Sequence, residues 1–336
     1  MRKEIIYAII AGGFLGIAIA FGVWRVNATL SPNKNSQSPG TKPSQEENSL
    51  VTIAKPSNND VISQNPLAIT GIAKPGSVLL ISSDSKDYLP NLDNKGSFSI
   101  DIDLPAGGIN QLVIASFDDK GNLTKQVLTL VFSTEFSKVT PPTPTPTEKG
   151  AQQSTDSVRK KVEEKVAAAL NSPTSYFGTV TDIAESSIQL KSAAGEIEQL
   201  STAAGPTVIK DGKTPKEVKL TDIAIGDFIV AMGFTGDNHS LEARRILITK
   251  PPTSPAYDYV YGTVTKNTKG QVSLTTKAGQ ALTLVTTDKT LVYLKDQGQL
   301  SKIKSANLSE SDVLVGVGNF SGATFKARTV FVTERP

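Results

Sequence analysis

His239 is the one histidine in a chain of 336 residues, and there is no cysteine. A Ser-His-Asp triad would have to use His239, and a multi-histidine metal site is impossible. Thiol nucleophiles, thiolate metal ligands and disulfides are excluded outright. In Gly236-Asp237-Asn238-His239-Ser240 the histidine reads as an exposed hairpin residue. Carboxylates gather in Asp93-Asn94-Lys95-Gly96 and in Asp118-Asp119-Lys120-Gly121-Asn122. Asp93, Asp118 and Asp119 are therefore the candidates for Ca²⁺, a hard cation that takes oxygen ligands. Neither stretch has the spacing of an EF-hand, and Asp-Xaa-Xaa-Gly is ordinary hairpin chemistry. Arg244 and Arg328 each follow an alanine and precede an apolar strand. A guanidinium there could grip a carboxylate or phosphate. The reading favoured over that one pairs each arginine with a turn aspartate of its own module, Asp227 or Asp312. No catalytic residue, cofactor or resident metal is assigned, and the chain reads as a non-enzyme.

The elements that carry these residues start with Ile5 to Trp24, an uncharged apolar run of about 20 residues, enough to cross a bilayer as one helix. Arg2 and Lys3 precede it and Trp24 and Arg25 close it, which places the N-terminus in the cytoplasm and the rest outside, with the lipid bilayer as a partner. A cleaved signal peptide is the alternative, giving a secreted protein; its apolar region normally spans about 7 to 15 residues. The formal net charge of +3 is too small to imply a nucleic-acid or membrane-surface partner.

Residues 1–26 are thus read as cytoplasmic stub and transmembrane anchor, and 27–48 as a disordered linker rich in Ser, Pro, Asn and Gln. In 49–137 short apolar runs alternate with turn signals, with no helical period, which predicts a β-sandwich. In Ser97 to Leu104 the alternation is strict, so Phe98, Ile100, Ile102 and Leu104 should face the core. Residues 138–153 contain Pro141-Pro142-Thr143-Pro144-Thr145-Pro146, an extended arm. The stretch 154–172 reads as a helix with Val158, Val162, Val166, Ala169 and Leu170 along one stripe.

The remainder repeats. Gly178-Thr179-Val180-Thr181 recurs as Gly262-Thr263-Val264-Thr265, Asp227 to Gly233 recurs as Asp312 to Gly318, and Ala243-Arg244 recurs as Ala327-Arg328. This gives two small closed barrels, 173–250 and 259–336, joined by a linker 251–258. The glycines Gly178 and Gly262 would let the first strand coil around its barrel. In Gly226-Asp227 the glycine permits a tight turn that the aspartate can cap; the second copy has Ser311-Asp312 there and keeps only the aspartate. The first copy has seven cations against ten acids; the second has nine, Lys266 to Arg328, against five. Only the second could attract phosphates, and its aromatics Tyr257, Tyr259, Tyr261, Tyr293, Phe320, Phe325 and Phe331 are too few and scattered for a base-stacking platform.

Gly71-Ile72-Ala73-Lys74-Pro75-Gly76, Lys95-Gly96-Ser97-Phe98, Gly108-Ile109-Asn110 and Ala115 to Asn122 resemble bacterial immunoglobulin-like modules of the glucodextranase B-domain type. Ser116 stands where that family usually has alanine. The repeat pattern resembles an exported bacterial family of small OB-like barrels of unknown function. The whole is similar to hypothetical membrane-anchored proteins of bacterial candidate phyla. These resemblances imply a mainly β fold: anchor helix, immunoglobulin-like sandwich, one linker helix and two tandem OB-like barrels. They carry no catalytic residues. The expected role is a non-catalytic, membrane-anchored surface scaffold, adhesion-like, whose partners are envelope polysaccharide or other surface proteins. The alternatives are envelope glycan binding, and single-stranded nucleic-acid binding by the barrels.

Overall fold

The sandwich segment runs β1 (Val51–Lys55), β2 (Val61–Ile62), β3 (Leu67–Ala73), β4 (Val78–Ser82), β5 (Asp87–Tyr88), β6 (Ser97–Ile102), β7 (Gly108–Phe117) and β8 (Leu123–Phe132). The computed structural model describes residues 51–104, 107–138, 172–236, 240–253, 255–268 and 270–336, all within one compact unit, Asn48–Pro336. A three-stranded sheet, β1-β3-β6, faces a five-stranded sheet, β2-β8-β7-β4-β5, so this segment is a β-sandwich. Ile69, Leu79, Ile81, Phe98, Ile102, Leu112, Ile114 and Leu130 fill the space between them. On β6 Phe98 and Ile102 are buried and Ile100 packs half-buried on the same core, while Ser99 and Asp101 are exposed. That is the pattern of a strand with one wet face.

The first repeat comprises β9 (Thr174–Ile183), β10 (Ser187–Lys191), β11 (Ile197–Ser201), β12 (Thr207–Lys210), β13 (Lys216–Val218), β14 (Phe228–Thr235) and β15 (Leu241–Thr249). The second comprises β16 (Asp258–Thr268), β17 (Gln271–Thr276), β18 (Ala281–Val285), β19 (Leu291–Asp296), β20 (Gln299–Ile303), β21 (Val313–Ser321) and β22 (Thr324–Glu334). Their strand orders are equivalent, β11-β10-β9-β14-β15-β12-β13 and β18-β17-β16-β21-β22-β19-β20. In each, the third strand also pairs in parallel with the last, β11 with β15 and β18 with β22, which closes five strands into a barrel. Closure removes the edges an open sheet would expose. The hairpins β12–β13 and β19–β20 extend from the rest of the last strand's edge.

The Gly-Thr-Val-Thr stretches do one job twice. A Cβ on Gly178 or Gly262 would collide with the backbone carbonyl of Lys191 or Thr275, so only glycine lets the neighbouring strand come that close. Val180 and Val264 enter the two barrel cores. Thr181 and Thr265 are the unpaired bulge residues of β9 and β16, and their hydroxyls donate to the carbonyls of Gln189 and Ser273 at 3.3 and 3.1 Å. A bulge at that point steepens the local twist, as a small barrel requires.

One expectation is corrected. Among the described residues the chain is mainly β, with no helix of seven residues or more and none long and apolar enough to cross a membrane. Helical geometry there is confined to short 3₁₀ turns such as Thr134–Lys138, Leu220–Asp222 and Ser305–Asn307. The transmembrane helix expected over Ile5–Trp24, with Trp24 and Arg25 at its interface, falls away from the fold class, as does the helix expected over 154–172. The first stretch, and all of the second but Ser172, lie outside the described residues. Apolarity measures what a segment gains in lipid and is not itself a helix signal. The stripe at 158–170 leans on valine, a weak helix former.

Candidate functional site

The five-stranded sheet is apolar on both faces, and its outer face is where the three modules meet. On β7 the residues from Leu112 to Phe117 are all buried. Leu112 and Ile114 point into the sandwich, and Val113, Ala115 and Phe117 pack with Leu80 and Leu89 against Tyr259, Val315, Val317 and Phe331 of the second repeat. Nearer the opposite end of the same strands, Val61, Val131 and Phe136 pack against Val230, Met232 and Phe234 of the first repeat. Both repeats use equivalent outer faces for this. Phe177, Val230 and Leu247 stand in register in the first, and Tyr261, Val315 and Phe331 stand in register in the second.

Polar contacts fix each contact patch. At the first repeat, Val61 N–H donates to the Pro173 carbonyl at 3.1 Å, and Ser175 donates from both N–H and hydroxyl to the Asn59 carbonyl, at 2.9 and 2.7 Å. At the second, Arg328 reaches into the sandwich. Its Nε donates to Asp87 Oδ2 at 3.0 Å and Nη2 donates to Asp87 Oδ1. Nη2 and Nη1 also donate to the carbonyls of Ser83 and Asp84, at 3.1 and 3.2 Å. The Asp87 side chain is wholly buried, and the Arg328 guanidinium stacks 4.3 Å from the Tyr257 ring centre. Burial alone would lower the Arg328 pKa; its bonds to Asp87 outweigh that and raise it. Tyr257 in turn donates to Asp84 Oδ1 at 3.2 Å.

Why Arg328 points that way follows from its strand. The ladder between β21 and β22 slips between Val317 and Gly318, which leaves Arg328 as the extra residue of a bulge. The ladder between β14 and β15 slips at the equivalent place, leaving Arg244. Bulges re-aim a side chain. Arg244 nevertheless ends on its own strand, 3.3 Å from Glu242 Oε2.

The residues singled out from the sequence fall into place unevenly. Neither arginine pairs with a turn aspartate of its own module, contrary to the favoured expectation. Asp312 does hold an arginine, but it is Arg335, through Nε at 2.8 Å and Nη2 at 2.7 Å. Asp227 and Asp312 both cap their turns, accepting from Ala224 N–H at 3.0 Å and Ser309 N–H at 2.8 Å. Asp93 and Asp118 occupy matching turns. Asp93 Oδ1 accepts from Lys95 and Ser97 N–H, and Asp118 Oδ1 from Lys120 and Asn122 N–H, all at 2.8 to 2.9 Å. The backbone bonds from Ser97 and Lys95 hold the Asp93 pKa below its ordinary value, and the Asn122 amide does so first for Asp118. Asp119 forms an exposed ion pair with Lys74 at 3.6 Å. These acids are occupied as turn caps and a surface pair, and the two turns are not brought together as a calcium site; among the described residues no three acids or histidines converge on one point. His239, Ile5, Trp24 and Arg25 lie outside the described residues.

Sequence reasoning missed Asp87, Arg335 and the tyrosine row. The signal for the last was present: Tyr257, Tyr259 and Tyr261 alternate, so a strand sets them on one face. With Tyr293 and Phe331 they join the apolar seam against the sandwich. Tyr261 lies 5.4 Å from Phe117, Tyr293 stacks on Phe331 at 5.5 Å, and Phe325 is inside the barrel with Phe320 edge-on at 5.2 Å.

No protein-family model matches the sequence, and no curated protein matches it. Among solved structures the chain is similar to the crystal structure of CopC from Methylosinus trichosporium OB3b, at 12% identity over 24% of this chain and 92% of that one, with a TM-score of 0.20. CopC is a β-sandwich. A TM-score that low says nothing about activity.

Proposed function

We propose that this chain is a non-catalytic interaction scaffold, which holds two copies of one small barrel at fixed places on a β-sandwich and presents their free surfaces together. Its partners on this reading are macromolecules of the cell surface, protein or polysaccharide. One observation carries the reading: the outer face of a single sheet is buried by equivalent faces of both repeats. Contiguous apolar surfaces of that kind are what hold neighbouring domains rigid, where small polar contacts would let them swing. The family readings belong here too. Two facing sheets, antiparallel but for the short edge strand β2 beside β8, support an immunoglobulin-like sandwich, and a three-stranded meander closed in parallel by the last strand supports an OB-like barrel.

The test uses the absence of cysteine. Cysteines introduced at the exposed, equivalent turn residues Ala194 and Ala278 carry two spin labels. Electron–electron resonance should give one narrow distance distribution, and a broad one would sink the rigid scaffold. The role is tested by capture from a cell-envelope fraction. Phe331→Asp, which undocks the second repeat, should retain less material than the parent chain; equal capture overturns the role.

A further inference from the structure

A cleft of about 430 Å³ opens beside the Arg328 seam, between the sandwich and the second repeat. That volume lies within the roughly 300–1,000 Å³ of small-ligand sites, which favour domain boundaries. Leu89 and Leu92 are among its apolar lining; Asp93 and Asn94 line it from the sandwich, and Tyr261, Lys295 and Glu334 line it from the second repeat. The two walls are pinned relative to each other by Arg328 on Asp87 and by the Asn91 amide, which donates to the Gly298 carbonyl at 2.7 Å. We propose that this cleft binds a short neutral saccharide.

The polar groups decide the ligand class. Among the described residues the Lys295 ammonium and the Glu334 carboxylate form no ion pair and Asn94 donates no side-chain hydrogen bond, so their capacity is free for a guest. Asp93 spends Oδ1 on two backbone N–H groups, which leaves Oδ2 outside those bonds. An anionic ligand would meet two carboxylates, and the Lys295 ammonium offsets one of them, so a cation has at most one uncompensated carboxylate to gain and meets a like charge beside it. A hydroxyl both donates and accepts, so a ring bearing several of them can satisfy carboxylate, amide and ammonium at once. Its C–H face suits Leu89. Tyr261 does not serve as a stacking platform, because Phe117 lies 5.4 Å from its ring and Lys277 Nζ lies 5.3 Å from it. Recognition therefore rests on hydrogen bonds, and affinity should be modest.

Calorimetric and NMR titration of the full chain with maltotetraose, cellotetraose and chitotetraose tests this, with inorganic phosphate and spermidine as charged probes. At least one tetrasaccharide should bind saturably, and Asn94→Ala and Lys295→Met should each weaken it about ten-fold, the scale of one charged or amide hydrogen bond. Both residues lie at the surface or half-buried, so an unchanged melting temperature confirms intact folding. The proposal is overturned by no binding at about 10 mM sugar, far above millimolar dissociation constants. Binding indifferent to both variants overturns it, as does tighter binding of phosphate or spermidine. The inference uses the rigid seam and not the scaffold role. A cleft that stays empty leaves the label distances narrow, whereas a flexible seam broadens them first.

Discussion

Arg328 and Asp87 stand 241 residues apart in sequence and meet in a two-pronged ion pair that ties the last strand of the second barrel to the sandwich. The carboxylate has no solvent exposure and the arginine side chain has 30%. Removing the arginine therefore strands a buried charge, which costs about 3–5 kcal/mol. Arg328→Met should lose about that much in urea unfolding, and adding Asp87→Leu should recover most of it, since a buried pair can often be replaced by apolar residues at little cost. The equivalent Arg244→Met should lose under about 1 kcal/mol, because its partner Glu242 is on the same strand and 40% exposed. Equal losses at the two arginines would contradict the seam.

What was legible in the sequence follows from how many faces of a strand are wet. On β6 one face is exposed, so the alternation from Ser97 to Ile102 marks its core side. On β7 Leu112 to Phe117 form an unbroken apolar run because both faces are covered. Such a run announces burial and does not name what covers it. The arginines failed for a related reason. Spacing placed Arg244 and Arg328 at equivalent positions, but their partners depend on which module lies over the bulge, and Asp87 carries no local mark of its distant partner. The turn acids were readable because Asp93 and Asp118 bond only within five residues. The Ile5–Trp24 helix was read from hydropathy alone, and that stretch lies outside the described residues.

A divergence between the repeats gives a pH prediction. Glu198 opposite Leu190 corresponds to Leu282 opposite Leu274, and Tyr176 corresponds to Val260. The second repeat keeps this place apolar, while the first puts a carboxylate there whose Oε2 is buried without a partner. Burial, and then Glu196, raise the Glu198 pKa above its ordinary 4.5. A raised carboxyl supports the fold while protonated and loses that support as pH rises through its folded value. Glu198→Leu should thus stabilise the chain at pH 7 by roughly 1 kcal/mol, the scale of a buried CH₂ group. The gain should shrink as pH falls through that raised value towards 4.5, and level off below it. Thermal melts across that range check it; a gain independent of pH would refute the assignment.

Ser311 occupies a backbone conformation that its counterpart hands to glycine. Its φ is +70°, and Gly226 at the equivalent turn has φ +95°. A side chain in the left-handed region costs about 1–2 kcal/mol, partly offset because glycine loses more freedom on folding. Ser311→Gly should accordingly stabilise by about 0.5–1 kcal/mol. Gly226→Ser should destabilise by a similar amount, with open space around its Cβ ruling out a clash as the cause. Chemical denaturation of both variants tests the pair, and opposite signs are the required result.

Tyr259 supplies the alkaline counterpart at the seam. It is 6% exposed, and burial pushes its phenol up to about 12, against the smaller downward pull of Ser82 and Arg328. Its hydroxyl and the Ser82 Oγ are both buried without a well-formed hydrogen bond. A phenol whose folded value lies above the unfolded 10.0 supports the fold below pH 10 and loses that support as pH climbs through about 12. The seam should therefore weaken by on the order of 2 kcal/mol between those limits. Tyr88, Tyr176, Tyr257 and Tyr261 are raised as well, so the difference between parent and variant isolates this residue. Tyr259→Phe should match the parent within about 1 kcal/mol at pH 7, because it removes no good bond. Ultraviolet titration of the folded variant should lack the phenolate step near pH 12 that the parent shows. If Tyr259 instead ionises near 10, water reaches the seam, and the close contact between barrel and sandwich on which the Arg328 prediction also rests does not exist.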